Sequence, residues 1–522
     1  MPFKRVRFSL ALAIFITCLP GGAQTAAQQR IALSPQVRHG TLPNGLQWYA
    51  QRNERPSAKV EMRLVLKAGS MQEDDDQLGL AHFAEHMAFG GTRHFEKNKL
   101  ISTMQGLGMR MGADLNAFTG FDQTLYVLSI PTDRPQNVEQ GLQVLADWAG
   151  GVTFDPAEIE RERGVVLEES RNHKGAGDRM NRVLYPKIFE GSRYAERLAI
   201  GKDELLRTFP HAALTRYYRD WYRPNLMAVI LVGDVDPLTA EAMVRRYFGG
   251  LKNPVTERAR IYTPIPDRTR EEAVVVTDPE ATANVLRVIY SHNADAPDST
   301  VGRMRREFVK SLFNAMMSQR LQSAARGSSP VFASARIGLR PFVRGYEQFS
   351  ADITLSKAGL DPAASALALE AARVRENGFI EAELERARKS LLRTIEQAYN
   401  ERDKTESAAL ANALIRHVLT GEPAPGIEQE HAQAQNFVPQ ITLAEVNEFA
   451  RKLFSDSERK LVIYQGGEKS GETAPTQEAL LRAVNAKPFW VSAYTERAPA
   501  GVLMDKPPEG GRIASERLLA DL

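Results

Sequence analysis

The chain has 522 residues, too many for a single hydrophobic core, and at roughly 150 residues per domain it should divide into two large units or a few more. With 43% hydrophobic and 25% charged residues and ordinary amounts of Gly and Pro, its composition is that of a globular protein and excludes a wholly disordered, collagenous or polytopic membrane chain. Lys4, Arg5 and Arg7 account for the formal charge of +3, and the remainder balances 64 basic against 64 acidic residues, which offers no electrostatic footprint for nucleic acid.

Those three cations precede a 12-residue apolar stretch from Phe8 to Leu19, followed by Pro20-Gly21-Gly22-Ala23 with small residues suited to signal peptidase. Residues 1–23 therefore read as a cleaved signal peptide, and the stretch is too short to span a bilayer. A periplasmic or secreted protein without stable membrane insertion is expected. Cys18 is the only cysteine and lies inside the stretch, where the preceding Phe15-Ile16-Thr17 is a poor lipoprotein site. The mature chain then lacks disulfides, Cys nucleophiles and Cys-ligated metals.

Farther along, Asn44-Gly45 between apolar residues signals a hairpin from Thr41 to Trp48. Val60 to Leu66 alternates as a strand with one buried face. An amphipathic helix is expected from about Leu78 to Phe89, with Leu80, Phe83, Ala84 and Met87 on its apolar face and Gly90-Gly91 at its end. Asp155-Pro156-Ala157-Glu158 combines an N-cap, a first-position proline and a capping-box Glu, opening a helix to about Asn172. Leu214, Tyr217, Trp221 and Tyr222, then a strand from Met227 to Val232, recur as Val446, Phe449, Leu453 and Phe454, then a strand from Lys460 to Tyr464. This faint repeat predicts two similar α+β domains, with the boundary in the polar stretch from Lys252 to Thr269. Long helices are expected over Met304–Ala325 and Glu381–Ala408. Residues 467–522 read as a linker or tail containing a short helical pattern from Gln477 to Val484.

The sharpest chemical signal is His82-Phe83-Ala84-Glu85-His86. On a helix, positions i and i+4 project from one face, so both imidazoles can reach one metal ion, with Glu85 beside them. Zinc held in this way acidifies water and makes hydroxide available at neutral pH, and Glu85 can take the proton. The order H-x-x-E-H is the inverzincin pattern. The competing reading is a structural pair of surface histidines. A third ligand should be a carboxylate, and Glu162 and Glu169, seven residues apart, share a helix face that Glu168 does not. A salt-bridged face with Arg161, Arg163 and Arg171 is the competing reading there. The remaining seven histidines (His39, His94, His173, His211, His292, His417 and His431) form no second cluster and read as surface or packing residues.

His82 to Met87 resembles the core motif of the insulinase/pitrilysin zinc peptidases, and Glu162-Arg163-Gly164-Val165-Val166-Leu167-Glu168-Glu169 resembles their downstream segment. The resemblance implies His82, His86 and Glu169 as ligands of one Zn²⁺ per chain, and Glu162 as a supporting acid. Gly112-Ala113-Asp114-Leu115-Asn116-Ala117-Phe118-Thr119 and Trp221-Tyr222-Arg223-Pro224-Asn225 also resemble the family, in which residues matching Asn116 and Ala117 contact the substrate backbone. The likeness runs from about Gly40 to Gly466. It implies an α+β fold of two related domains, each an antiparallel-rich sheet packed with helices. The expected division is a zinc-binding catalytic domain over 37–255, a second, non-metal-binding peptidase-like domain over 268–466, and the linker or tail.

The function implied is a secreted zinc-dependent endopeptidase hydrolysing peptides or unfolded polypeptides, with Glu85 as general base. A catalytically weak or inactive partner subunit is the alternative, against which the intact His82, Glu85, His86 and Glu169 argue. A periplasmic branch of the family continues into two further domains that close over the site and supply an Arg and a Tyr. Arg340 and Tyr346 are the nearest pair in this chain, at a spacing one residue too short. A separate second-half chain or a homodimer is therefore expected to complete the enzyme.

Overall fold

A computed structural model describes residues 28–495, except 98, 173–174, 295–297, 326–329, 456–457, 468–472 and 487–489. The expected signal peptide, His173 and residues 496–522 of the expected linker or tail lie outside the described residues. No helix among the described residues is long and apolar enough to cross a membrane.

A first lobe is built from β1 (Val37–Thr41), β2 (Gln47–Arg52), β3 (Lys59–Leu66), α1 (Leu80–Gly90), α2 (Lys99–Gly106), β4 (Leu115–Thr119), β5 (Thr124–Pro131), α3 (Pro135–Gly150), α4 (Pro156–Asn172), α5 (Ala176–Ile188), α6 (Asp203–Thr208), α7 (His211–Trp221), β6 (Met227–Gly233) and α8 (Pro237–Phe248). A second lobe follows with β7 (Glu272–Asp278), β8 (Val285–Ala294), α9 (Val301–Ala324), β9 (Phe332–Val343), β10 (Tyr346–Leu355), α10 (Leu360–Asn377), α11 (Glu381–Asn400), α12 (Ser407–Thr420), α13 (Ile427–Phe437), α14 (Leu443–Leu453), β11 (Leu461–Gly467) and α15 (Gln477–Asn485).

The two sheets share one plan. The first is ordered β1-β2-β6-β3-β5-β4 and the second β7-β11-β8-β10-β9, so they agree strand for strand once β1 is set aside. In each, the strand after the late helix enters the middle of the sheet, parallel to one neighbour and antiparallel to the other. The sequence repeat marks this shared unit. Leu214, Tyr217 and Trp221 of α7 are buried in one core, and Val446 and Leu453 of α14 in the other. The architecture is mixed α+β, as expected, with two helix-packed sheets.

Local signals hold where neighbours in sequence decide them. The Asn44-Gly45 turn joins β1 to β2 with Thr41 opposite Gln47, and Gly45 takes φ +89°, which a side chain rarely tolerates. Asn44 adds hydrogen bonds to the Phe248 and Leu251 carbonyls. The segment from 249 to 271 has no helix or strand. It is pinned to the first lobe, with Ile261 and Gln72 exchanging two hydrogen bonds and Arg258 pairing with Asp74 and Asp220.

Three expectations are corrected by contacts from far along the chain. β3 is buried on both faces, because α12 covers the side that alternation marks as polar. Glu61 and Arg63 on that side pair with each other at 2.7 Å, and Ser129 donates to Glu61. The single helix expected over Glu381–Ala408 breaks after Asn400 and restarts as α12 at Ser407. The break is held by the first lobe, where the Ser407 N–H donates to the Arg55 carbonyl and Asn53 Nδ2 to that of Thr405. Finally, α15 falls in the segment read as a linker or tail, yet its Leu480, Ala483 and Val484 are buried in the second core.

Each lobe lends the other a helix. Ala411, Leu414, Ile415 and Val418 of α12 pack on Tyr49, Val65, Ala228, Ile230 and Val232 of the first sheet. In return, Leu184 and Ile188 of α5, with Phe189, pack on Val274, Ile289, Leu461 and Ile463 of the second.

Candidate metal centre

α1 buries Leu80, Phe83, Ala84 and Met87 in the first core and turns His82 and His86 towards a cavity of about 690 Å³. Its N-terminus is fixed by backbone contact. Gly79 (φ +99°) and Gly201 (φ +74°) lie so close that a Cβ on Gly201 would fall 2.4 Å from the Gly79 Cα. This approach sets Ala199 and Ile200 into the cavity wall. The first free N–H groups of the helix are capped by Glu73, whose Oε1 accepts from Gly79 (3.0 Å) and Ala81 (2.8 Å).

Glu73 is fully buried, and burial pushes its carboxyl up to about 8 although the two N–H groups, Arg197 and Arg193 pull the other way. An unfolded Glu titrates near about 4.3, so the folded state holds the proton more tightly than the unfolded one. The stability this contributes is complete below about pH 4 and is lost as pH rises towards 8, by an amount on the order of a few kcal/mol. Glu73→Gln keeps an acceptor for both N–H groups and cannot ionise. Thermal unfolding of variant and wild type should therefore agree near pH 4 and diverge in the variant's favour by pH 8. Parallel curves across that range would contradict the assignment.

The second arm of the site is α4. Asp155 Oδ1 accepts from the N–H groups of Ala157 and Glu158, as its N-cap position predicts, while the Glu158 side chain pairs with Arg161. Glu162 and Glu169 both line the cavity, whereas Glu168 turns outward to Arg171 at 2.9 Å. The helix face read from the sequence is the one that meets α1.

His82 and His86 stand edge to face with ring centroids 4.7 Å apart. Glu169 reaches both, Oε1 lying 3.8 Å from His82 Nε2 and Oε2 lying 3.1 Å from His86 Nε2. One donor atom from each of these three residues lies within 4.8 Å of the others, which suits a single ion, and two imidazoles with a carboxylate are a zinc donor set. Glu162 stands behind His86, its Oε2 3.4 Å from Nδ1, and is itself held by Arg161 at 2.7 Å. Burial alone would lower His86, but Glu162 and Glu169 outweigh it and lift the imidazole to about 9. The same carboxylates would attract a divalent cation, which has to displace that proton to bind the imidazole.

Glu85 is buried at the cavity floor, where Thr119 Oγ1 donates to its Oε2 at 2.5 Å. Burial pushes its carboxyl up to about 7, with Thr119 and His86 opposing and Glu169 reinforcing. The cavity's far wall is β4, the edge strand of the sheet, contributing Asn116, Ala117, Phe118 and Thr119. Asn116 is exposed, and its side chain bonds to the Gly112 carbonyl and the Ala117 N–H. The residues named from the sequence thus converge on one cavity. Arg340 and Tyr346 do not line it: Arg340 lies 4.0 Å from Asp352, and Tyr346 packs with the α5 cluster. The described remaining histidines take packing or surface roles, such as His94 on Asp147, His211 on Glu160 and His431 stacked on Tyr399. Sequence reading assigned no role to Glu73 or Thr119. Thr119 lies two residues after Ala117, on the same strand face, which is the only local hint of its role.

Fold and site together define a candidate metallohydrolase on a duplicated α+β scaffold. Sequence models of two related families match: "Insulinase (Peptidase family M16)" over residues 49–198 and "Peptidase M16 inactive domain" over 208–391. The chain belongs to the insulinase family of peptidases, family M16. It is 29% identical to the "Zinc protease PQQL-like" of Arabidopsis thaliana over 90% of this chain and 46% of that protein. Identity to the "Probable zinc protease PqqL" of Escherichia coli is 28%, over 82% of this chain and 46% of that one. The chain spans about half the length of the curated relatives it matches. The crystal structure of the first half of the E. coli periplasmic protease PqqL superposes with a TM-score of 0.81 at 26% identity, covering 90% of this chain and all of that one.

Proposed function

We propose that this protein is a zinc-dependent endopeptidase that cleaves peptides or unfolded polypeptides in the periplasm or outside the cell. The observation that carries the reading is the convergence of His82, His86 and Glu169 at single-ion distances beside the buried carboxylate of Glu85. The relatives' names, zinc proteases, and the periplasmic location of one of them agree with it. His82, His86 and Glu169 would hold the ion, and Glu162 would orient His86. Zinc supplies a Lewis acid that polarises the scissile carbonyl and acidifies the attacking water. Glu85 takes that water's proton and returns it to the leaving amine. An extended peptide fits the open edge of β4 through main-chain hydrogen bonds, which accept many sequences. Met111, Phe118 and Val165, exposed and apolar at the cavity, suit an unfolded chain.

Purified protein should contain one zinc per chain and cleave a mixed peptide library internally. A chelator should abolish cleavage, and added zinc should restore it. Metal-free protein, or cleavage indifferent to chelator, would overturn the reading. Asn116→Ala should lower kcat/KM while zinc content and Tm stay unchanged, and parallel losses of activity and stability would mark Asn116 as a turn residue only. Among the described residues the cavity is walled by the first lobe alone. A further peptidase half would cover it, and addition of such a half should raise kcat.

A further inference from the structure

We propose that Thr119 is the positioning residue for the catalytic base, so that the strand offered to substrate also aims Glu85. The inference rests on the zinc-peptidase reading above and adds a residue to it. A glutamate on a helix has three free side-chain torsions, and a base must be held within about 0.5 Å of its working position. Among the described residues, the Glu85 carboxyl has one hydrogen-bond partner, the Thr119 hydroxyl on Oε2. One oxygen is thereby fixed and Oε1 is left towards the cavity that Glu85 lines.

The anchor itself is stiff. Thr119 is buried, its β-branched side chain restricts χ1, and its backbone pairs with Thr124 across the hairpin closed by Gly120 and Gln123. It ends β4, two residues beyond Ala117 and on the same face of the strand. A peptide added to the β4 edge at Asn116 and Ala117 would steady the strand, and with it the hydroxyl that holds Glu85. Substrate docking and base alignment then share one element.

Thr119→Val removes the hydroxyl at nearly constant volume, and Thr119→Ser keeps it. The valine variant should lose about 10–100-fold in kcat, the scale of a misplaced catalytic group, with KM, zinc content and Tm near wild type. Serine should recover most of the loss. A second readout needs no turnover. The infrared difference between wild type and Glu85→Gln isolates the Glu85 carboxylate band, which should shift in Thr119→Val and not in Thr119→Ser. An active wild type with unchanged kcat in Thr119→Val, or equal losses in both variants, overturns the proposal, as does an unmoved band. Absence of zinc-dependent hydrolysis in every form overturns the peptidase reading instead, and the infrared arm still decides the Thr119–Glu85 bond.

Discussion

Glu85→Gln should keep one zinc per chain and lose about 10²–10⁴-fold in turnover, because it removes the base and leaves the ligands in place. His82→Ala, His86→Ala and Glu169→Ala should each lose metal as well as activity, since two remaining protein ligands make a weak site. Glu162→Ala should fall between these. It stands 3.4 Å from His86 Nδ1 and belongs behind the ligand, so zinc affinity should weaken by about 10–100-fold with activity recoverable at high zinc. Metal analysis and kcat of the five variants decide the assignment. An apo Glu85→Gln, or a Glu169→Ala that keeps full zinc and activity, would reverse the division between base and ligands.

The largest stability loss is expected at Arg320, far from the metal. Its guanidinium is almost wholly buried and bonds in parallel to both oxygens of Glu383, at 2.6 and 2.7 Å, with a third bond to the Gly378 carbonyl. The rings of Phe379 and Tyr494 lie 4.7 and 4.5 Å from it. Arg320→Met leaves the Glu383 carboxyl without its partner in the core and should cost about 3–5 kcal/mol. Arg320→Met with Glu383→Leu should recover most of that, short of about 1 kcal/mol for the Ile380 N–H that Glu383 also caps. Denaturant unfolding of single and double variants tests the pair. A single-variant loss below about 1 kcal/mol would show the ion pair to be dispensable.

What could be read from the sequence was local in origin. The i, i+4 histidines, the Asp155-Pro156 helix start, the shared face of Glu162 and Glu169 and the Asn44-Gly45 turn are each fixed by residues within about two helical turns. The late helix-strand unit showed through as a repeat for the same reason. Strand order did not, because β6 enters between β2 and β3 from more than 150 residues away. Burial of Glu61 and Arg63 was equally invisible, since the helix covering them comes from the other half of the chain. In the candidate site, the His82–His86 pair and the helix face shared by Glu162 and Glu169 were legible from spacing, while the choice of Glu169 as third ligand came from the family resemblance. Glu73 and Thr119 were not, because a cap from outside the helix and a hydroxyl 34 positions from its partner leave no periodic trace.

The crossed helices constrain movement. For the lobes to swing apart, α12 would have to leave Ile230 and Val232, and α5 would have to leave Ile289 and Ile463, wetting two apolar sheet faces at once. The pair is thus clasped rather than hinged, and travels as one rigid jaw. Entry to the metal cavity cannot depend on these lobes parting. Any opening and closing must come from whatever stands opposite the jaw or from short segments at its mouth. A cut within 249–271 would yield two pieces, each bare on one sheet face, that should stay soluble only when made together.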